Sequence, residues 1–253
     1  MAIDTDTGSR KLPTFIASER GQEALLWWAI GFAAALTLAW ILLIRTLPLP
    51  PATWTSEQIA HFYRQHSIGI RWGAAVCSWT AAFTVPFSVV LAVQIARLEK
   101  GFPIWALTQA LANAISSLFI VLPMMLFGVA AFSPDRAPDV TAGLHQFALL
   151  SLVTADQYFI FNFIAIAIAC LIQSERKDVY TPFPRWMGYF TLWCALLFEA
   201  GAIAFVPKTG PFAWNGILAF YLPFGTYGVW FTCMCVLLFR ALRHQRRARL
   251  AAT

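Results

Sequence analysis

The order of apolar and polar positions divides this chain into six long hydrophobic runs, at 24–44, 72–95, 104–132, 144–172, 186–206 and 212–239. At 1.5 Å rise per residue, each is long enough to cross a hydrocarbon core of ~30 Å as a helix. The third, fourth and sixth are long enough to require tilt, a kink or extension past the interface. Between the first two runs, residues 47–51 read LPLPP, which excludes helix and predicts an extended strap. Residues 55–67 (TSEQIAHFYRQHS) open with Thr, Ser and an acid, the pattern of a helix start. Ile59, Phe62 and Tyr63 share one face there, which predicts a short amphipathic helix lying on the outer membrane surface. The predicted fold is therefore all-α: an integral membrane bundle of six transmembrane helices with a short outer amphipathic helix.

Composition agrees. Of the 253 residues, 59% are hydrophobic and 12% charged, with 22 Phe and 11 Trp, against roughly 45–50% and 25% in soluble domains. Charge sets the orientation. With the N-terminus inside, thirteen Lys and Arg residues fall in inner segments and five in outer ones (Arg45, Arg64, Arg71, Arg136 and Lys208), which together account for all 18. That asymmetry predicts a multi-pass protein of a bacterial inner membrane with both termini cytoplasmic. The chain then divides into a cytoplasmic N-terminal segment 1–23, a membrane domain 24–239 and a basic tail 240–253, the tail lying against anionic headgroups. The first 23 residues carry Asp4, Asp6, Glu19 and Glu23, unlike the basic start of a cleaved signal peptide, so the N-terminus is expected to be retained. The formal charge of +6 is topogenic and predicts no nucleic-acid partner. The five cysteines all lie in apolar runs and read as packing residues.

Polar residues inside the runs are the candidates for chemistry. Asp156 and Gln157 interrupt the fourth run and Glu199 the fifth; an acid at such depth costs about 2.5–3.5 kcal/mol on insertion scales and must be offset by a partner, a proton or water. Glu199 is flanked by Ala200, Gly201 and Ala202, small residues that admit a neighbouring helix. Gln109, Asn113 and Ser116 or Ser117 form a polar stripe at i, i+4 and i+7/i+8 on the third run. His145, eleven residues before Asp156, sits near the same helical face at the outer entrance. Pro86, Pro123 and Pro223 interrupt three runs, and Gly225 joins Pro223 in LPFGTYG, which predicts a bent or partly unwound segment. Three chemistries are open to the two acids: protonated structural hydrogen bonds, proton exchange along a water-filled path, or an acid/base pair. No nucleophile, paired histidine, metal motif or phosphate loop accompanies them, which argues against an enzyme and predicts no cofactor and no metal.

Two motifs, Phe102-Pro103-Ile104-Trp105 and Phe183-Pro184-Arg185-Trp186, open the third and fifth runs alike and suggest a repeated hairpin. The stretch FPRWMGYF from Phe183, followed by Leu192-Trp193 and by KTGPFAWNG from Lys208 to Gly216, resembles a family of bacterial inner-membrane proteins of mycobacteria and proteobacteria with no established activity. The resemblance covers the chain from the first outer loop to the sixth run and implies six spans. In KTGPFAWNG itself, Gly210-Pro211 predicts a tight outer turn, with Lys208 and Trp214 at the interface.

The sequence thus predicts a polar centre built from the third to sixth spans. The expected role is that of a small carrier or permease-like protein for a small or amphipathic solute, proton-linked through midplane carboxylates. The alternative is a non-catalytic membrane subunit that docks a partner. The expected partners are the lipid bilayer, a small-molecule solute, and a second copy or a membrane partner.

Overall fold

The computed structural model describes residues 19–154, 157–175, 180 and 182–251. The described residues form helices and no strand. Helix α1 spans Glu19–Ala39 and ends in a π turn, Trp40–Ile44; α2 spans Ser56–Thr80 and continues through a 3₁₀ turn, Ala81–Phe83, into α3, Thr84–Ala96. Helix α4 spans Ile104–Phe132, α5 Pro138–Thr154 and α6 Gln157–Glu175. Helix α7 spans Arg185–Phe198 and tightens into 3₁₀ at Glu199–Phe205; a π turn at Ile217–Tyr221 leads into α8, Leu222–Ala251. Six helical segments are long and apolar enough to cross a membrane, the second being α2 with α3 and the fourth including α5 and α6. The protein is a polytopic all-α membrane bundle.

The expected surface helix is not a separate element. Thr55 caps α2 with a full capping box, its hydroxyl accepting from the Gln58 N–H while the Gln58 side chain accepts from the Thr55 N–H. The helix then runs on unbroken to Thr80. Ile59, Ala60 and Tyr63 are buried, so the apolar face read as membrane-facing packs into the bundle instead. The prolines stand in different settings. Helix α4 is continuous across Pro123, whereas Pro223 directly follows the π turn Ile217–Tyr221, so the helical backbone is locally irregular just before it. Gly225 lies in the regular α8 helix. Pro86 stands in the first turn of α3, just after the 3₁₀ turn that joins α2 to α3.

The helices are apolar outward as well as inward. Trp27, Trp28, Trp72, Trp79, Trp186 and Trp193 are all more than half exposed, a surface that suits lipid rather than water. Inside, the buried residues form two clusters stacked along the bundle. One lies towards the end with the termini, around Leu26, Phe87, Phe163 and Trp230; the other lies towards the opposite end, around Trp40, Tyr63, Phe127 and Trp214. An ion pair between Glu19 and Arg249 (2.9 Å) brings the start of α1 and the end of α8 to the same side. Helix α8 runs through residues 240–251 with Leu242 and Gln245 buried, so this basic stretch is the end of the sixth span rather than a detached strand of chain.

Glycines set the closest helix approaches. A Cβ at Gly73 would stand 2.7 Å from the Ile44 side chain and 2.9 Å from Leu43, and one at Gly128 would stand 2.7 Å from the Ala74 Cβ. A Cβ at Gly225 meets nothing within 4 Å. Gly73→Val is therefore expected to destabilise the folded protein by about 1–3 kcal/mol through overpacking, with Gly225→Ala at or above wild-type stability. Unfolding of both variants in detergent, followed by far-ultraviolet circular dichroism, checks the contrast.

Candidate functional site

The end opposite the termini is closed by short polar contacts made by aromatic side chains. The Trp40 indole N–H donates to the Thr46 hydroxyl (2.8 Å), the Leu49 N–H donates to the Tyr221 hydroxyl (3.0 Å), and the Trp214 indole N–H donates to the Pro50 carbonyl (2.7 Å). These bonds pin the predicted LPLPP strap across the bundle mouth. Trp214 is thus buried and does not mark the interface as expected, because its indole N–H finds a carbonyl inside. The 208–216 loop that carries it turns at Gly210 (φ 88°), a left-handed conformation suited to glycine. A Cβ at Gly216 would collide with the Pro211 carbonyl.

His145 lies in this closure. It is fully buried, its Nδ1 3.0 Å from the Tyr63 hydroxyl, with the Phe127 and Trp214 rings around it. Its Nε2 and the Thr141 hydroxyl one turn earlier have no hydrogen-bond partner. Tyr63 lies in the stretch read as a surface helix, which is why its pairing with His145 was not anticipated.

The polar stripe on α4 is buried, and the described partners of Gln109 and Asn113 lie on α3 and α6. Gln109 donates to the Asn162 side-chain carbonyl (2.9 Å) and to the Ser88 hydroxyl (3.1 Å). Asn113 donates to the Thr84 carbonyl (3.0 Å), and Ser116 turns back onto the Ala112 carbonyl (2.8 Å). The stripe therefore joins α4 to α3 and α6. Hydrogen bonds of this kind hold spans together in a medium that offers no competing water. Glu199 opens the 3₁₀ stretch after α7, half-buried, with Oε1 inaccessible and unpartnered. Asp156 and the Gln157 side chain lie outside the described residues. Among the described candidates the structure does not bring Gln109, Asn113, His145 and Glu199 to one site.

A second buried polar cluster stands at the end with the termini. Gln94 and Gln245 bond each other in both directions (2.8 and 3.4 Å), Gln94 donates to Gln22 (2.8 Å), and Arg97 donates to Gln245 (3.2 Å). Three glutamines from α1, α3 and α8 thereby tie the first, second and sixth spans. Single glutamines near span ends give little sign in sequence of converging, since they share no repeat.

Between the two closures lies a cavity of about 320 Å³. Each of the six spans contributes at least one aromatic ring to its wall: Trp40, Phe83, Phe119, Phe159, Phe198 and, from the sixth, Phe231. Ile120, Tyr227 and Phe231 pack against both core clusters and also line the cavity, so the space opens where the two clusters meet. Among the described residues no charged side chain lines it; Thr37 and Tyr227 bring the hydroxyls, and the Thr37 hydroxyl donates to the Ala33 carbonyl (2.8 Å). The wall of this cavity is, in the described residues, aromatic. The volume lies in the range of small-molecule sites, ~300–1,000 Å³. Left empty it would cost at most on the order of 8 kcal/mol, at ~24 cal/mol per Å³, comparable to the whole net stability of a domain. Apolar walls of this kind take an apolar occupant rather than water.

Compared with known proteins, the chain matches no family model, no curated protein and no solved structure. The reading of this site therefore rests on its geometry.

Two substitutions separate the polar clusters from the cavity. Gln94→Ala leaves Gln22 and Gln245 short of buried partners and is expected to cost about 1–3 kcal/mol. Trp214→Phe, which loses one hydrogen bond to the Pro50 carbonyl, is expected to cost about 1 kcal/mol. Chemical denaturation in a fixed detergent measures both, and a neutral result at Gln94 would contradict the assigned network.

Proposed function

We propose that the protein is a small carrier of permease type whose solute occupies the central cavity, and that this solute is apolar or amphipathic. The observation that carries the reading is the wall itself: all six spans supply aromatic rings to one space of solute size. A cavity shared by every span is also the place where small helix movements change access most, since no single helix owns a wall. The excess of Lys and Arg on the side of the termini supports a cytoplasmic location for that end. On this placement the strap and the His145 closure face outward, and the glutamine cluster faces the cytoplasm.

Proton linkage is assigned to the acids of the fourth and fifth spans. Glu199 is the described candidate, with one carboxylate oxygen buried and unpaired.

Binding is tested on purified protein in detergent by thermal unfolding with a series of amphiphiles of increasing apolar length. A bound solute at about 100 times its Kd raises stability by ~2.7 kcal/mol. Ala219→Phe, which fills space from a buried lining position, is expected to abolish that stabilisation while the variant keeps its helical spectrum. Equal stabilisation of both proteins by every amphiphile would overturn the assignment of the cavity as the solute site.

A further inference from the structure

The cavity has a side that faces the membrane, between the first and sixth spans. Helices α1 and α8 touch at two levels: Trp27 against Phe239 towards the end with the termini (5.1 Å between ring centroids), and Trp40 against Phe224 and Phe220 towards the other (5.7 and 6.0 Å). Trp27 and Trp40, in the π turn that ends α1, are thirteen residues apart, which is ~20 Å along the helix. Between them the cavity lining includes small residues, Ala33 and Thr37 on α1 and Gly228 on α8, beside the larger Leu36, Tyr227 and Phe231. Ala33 and Thr37 are half-buried, Gly228 is exposed, and a Cβ built at Gly228 meets nothing within 4 Å. Phe224, at the rim, is 38% exposed.

Both axial routes are filled by packed side chains. At one end Trp40 and Phe220 sit beneath the pinned strap; at the other Phe87 and Phe163 each meet Trp230 edge to face (6.0 and 5.2 Å between ring centroids). The lining residue Gly228 instead reaches the outer surface of the bundle, where its neighbour Val229, and Leu38 next to the lining residue Thr37, are each more than half exposed. The medium in contact with that surface is hydrocarbon, as apolar as the interior of the cavity.

We infer that the occupant is one hydrocarbon tail of a membrane phospholipid, entering sideways from the bilayer between Ala33/Thr37 and Gly228. This rests on the reading of the cavity as the solute site and names the class of solute and its route. A space of about 320 Å³ is on the order of ten times a water molecule's ~30 Å³ share of the liquid, room for several consecutive chain carbons of one tail. Aromatic walls suit such a chain because they offer dispersion contacts without asking for hydrogen bonds. The headgroup stays outside, at the membrane surface, so the cavity needs no charged partner for it.

The test uses the full chain in vesicles of phosphatidylethanolamine and phosphatidylglycerol containing phosphatidylcholine with a diazirine at the tail end. After photolysis, peptide mass spectrometry reads adducts on the cavity segments 119–124 and 223–231. The expected result is labelling of these segments in wild type, a loss of about tenfold in Gly228→Leu, and retention in Gly225→Leu, whose position lies on the same helix off the cavity wall. Unchanged labelling in Gly228→Leu, or equal loss in both variants, would overturn the lateral route. A parallel sample receives a small free aryl diazirine in place of the lipid. Labelling by that reagent without labelling by the lipid would overturn the lipid tail as occupant while leaving the cavity a solute site. Labelling by neither would remove both readings.

Discussion

The spacing of the first and sixth spans is the constraint on which the rest of the structure depends. Two aromatic contacts, Trp27 with Phe239 and Trp40 with Phe224, hold α1 and α8 together at separate levels. Bulky rings at the contacts and small residues between them leave an interval that neither helix fills. Each remaining span then adds a ring to the wall of that interval, and the core divides into one cluster above it and one below. In a bilayer there is no hydrophobic drive to collapse such a space, because lipid tails are as apolar as the rings. Packing is then the main force left to close the space, and an apolar occupant that restores those contacts offsets the cost of leaving it empty.

Polar groups in this bundle are spent on joining helices. The Gln109–Ser88–Asn162 contacts, the three-glutamine cluster and the Tyr63–His145 pair each link different spans. The Trp214 and Tyr221 bonds to the proline strap do the same for the loops. This division of labour accounts for a cavity wall with so few polar atoms among the described residues.

The spans themselves were legible in the sequence because a bilayer demands long apolar helices, and the run at 104–132 coincides with α4 from end to end. Burial of the Gln109/Asn113 stripe followed from its helical period, but the neighbour it faces did not, since period fixes a face and not a partner. The amphipathic pattern of Ile59, Phe62 and Tyr63 was compatible with a membrane surface and with a bundle interior alike. Only the uninterrupted course of α2 decides for the interior. The two Phe-Pro-x-Trp motifs look equivalent as strings, yet Phe183 is fully buried and Phe102 is 73% exposed, which removes the support they lent to a repeated hairpin. The cavity was not legible at all. Its wall is made of Phe, Trp and small residues, the same types that face lipid elsewhere, and no polar signal marks it.

The central claim is that this aromatic cavity holds a lipid tail, and native mass spectrometry of the protein released from lipid nanodiscs addresses it most directly. The account predicts a wild-type species that retains one phospholipid under activation that strips peripheral lipids, and an Ala219→Phe species that emerges without it. Retention of the same lipid, at the same activation energy, by the cavity-filled variant would contradict the account.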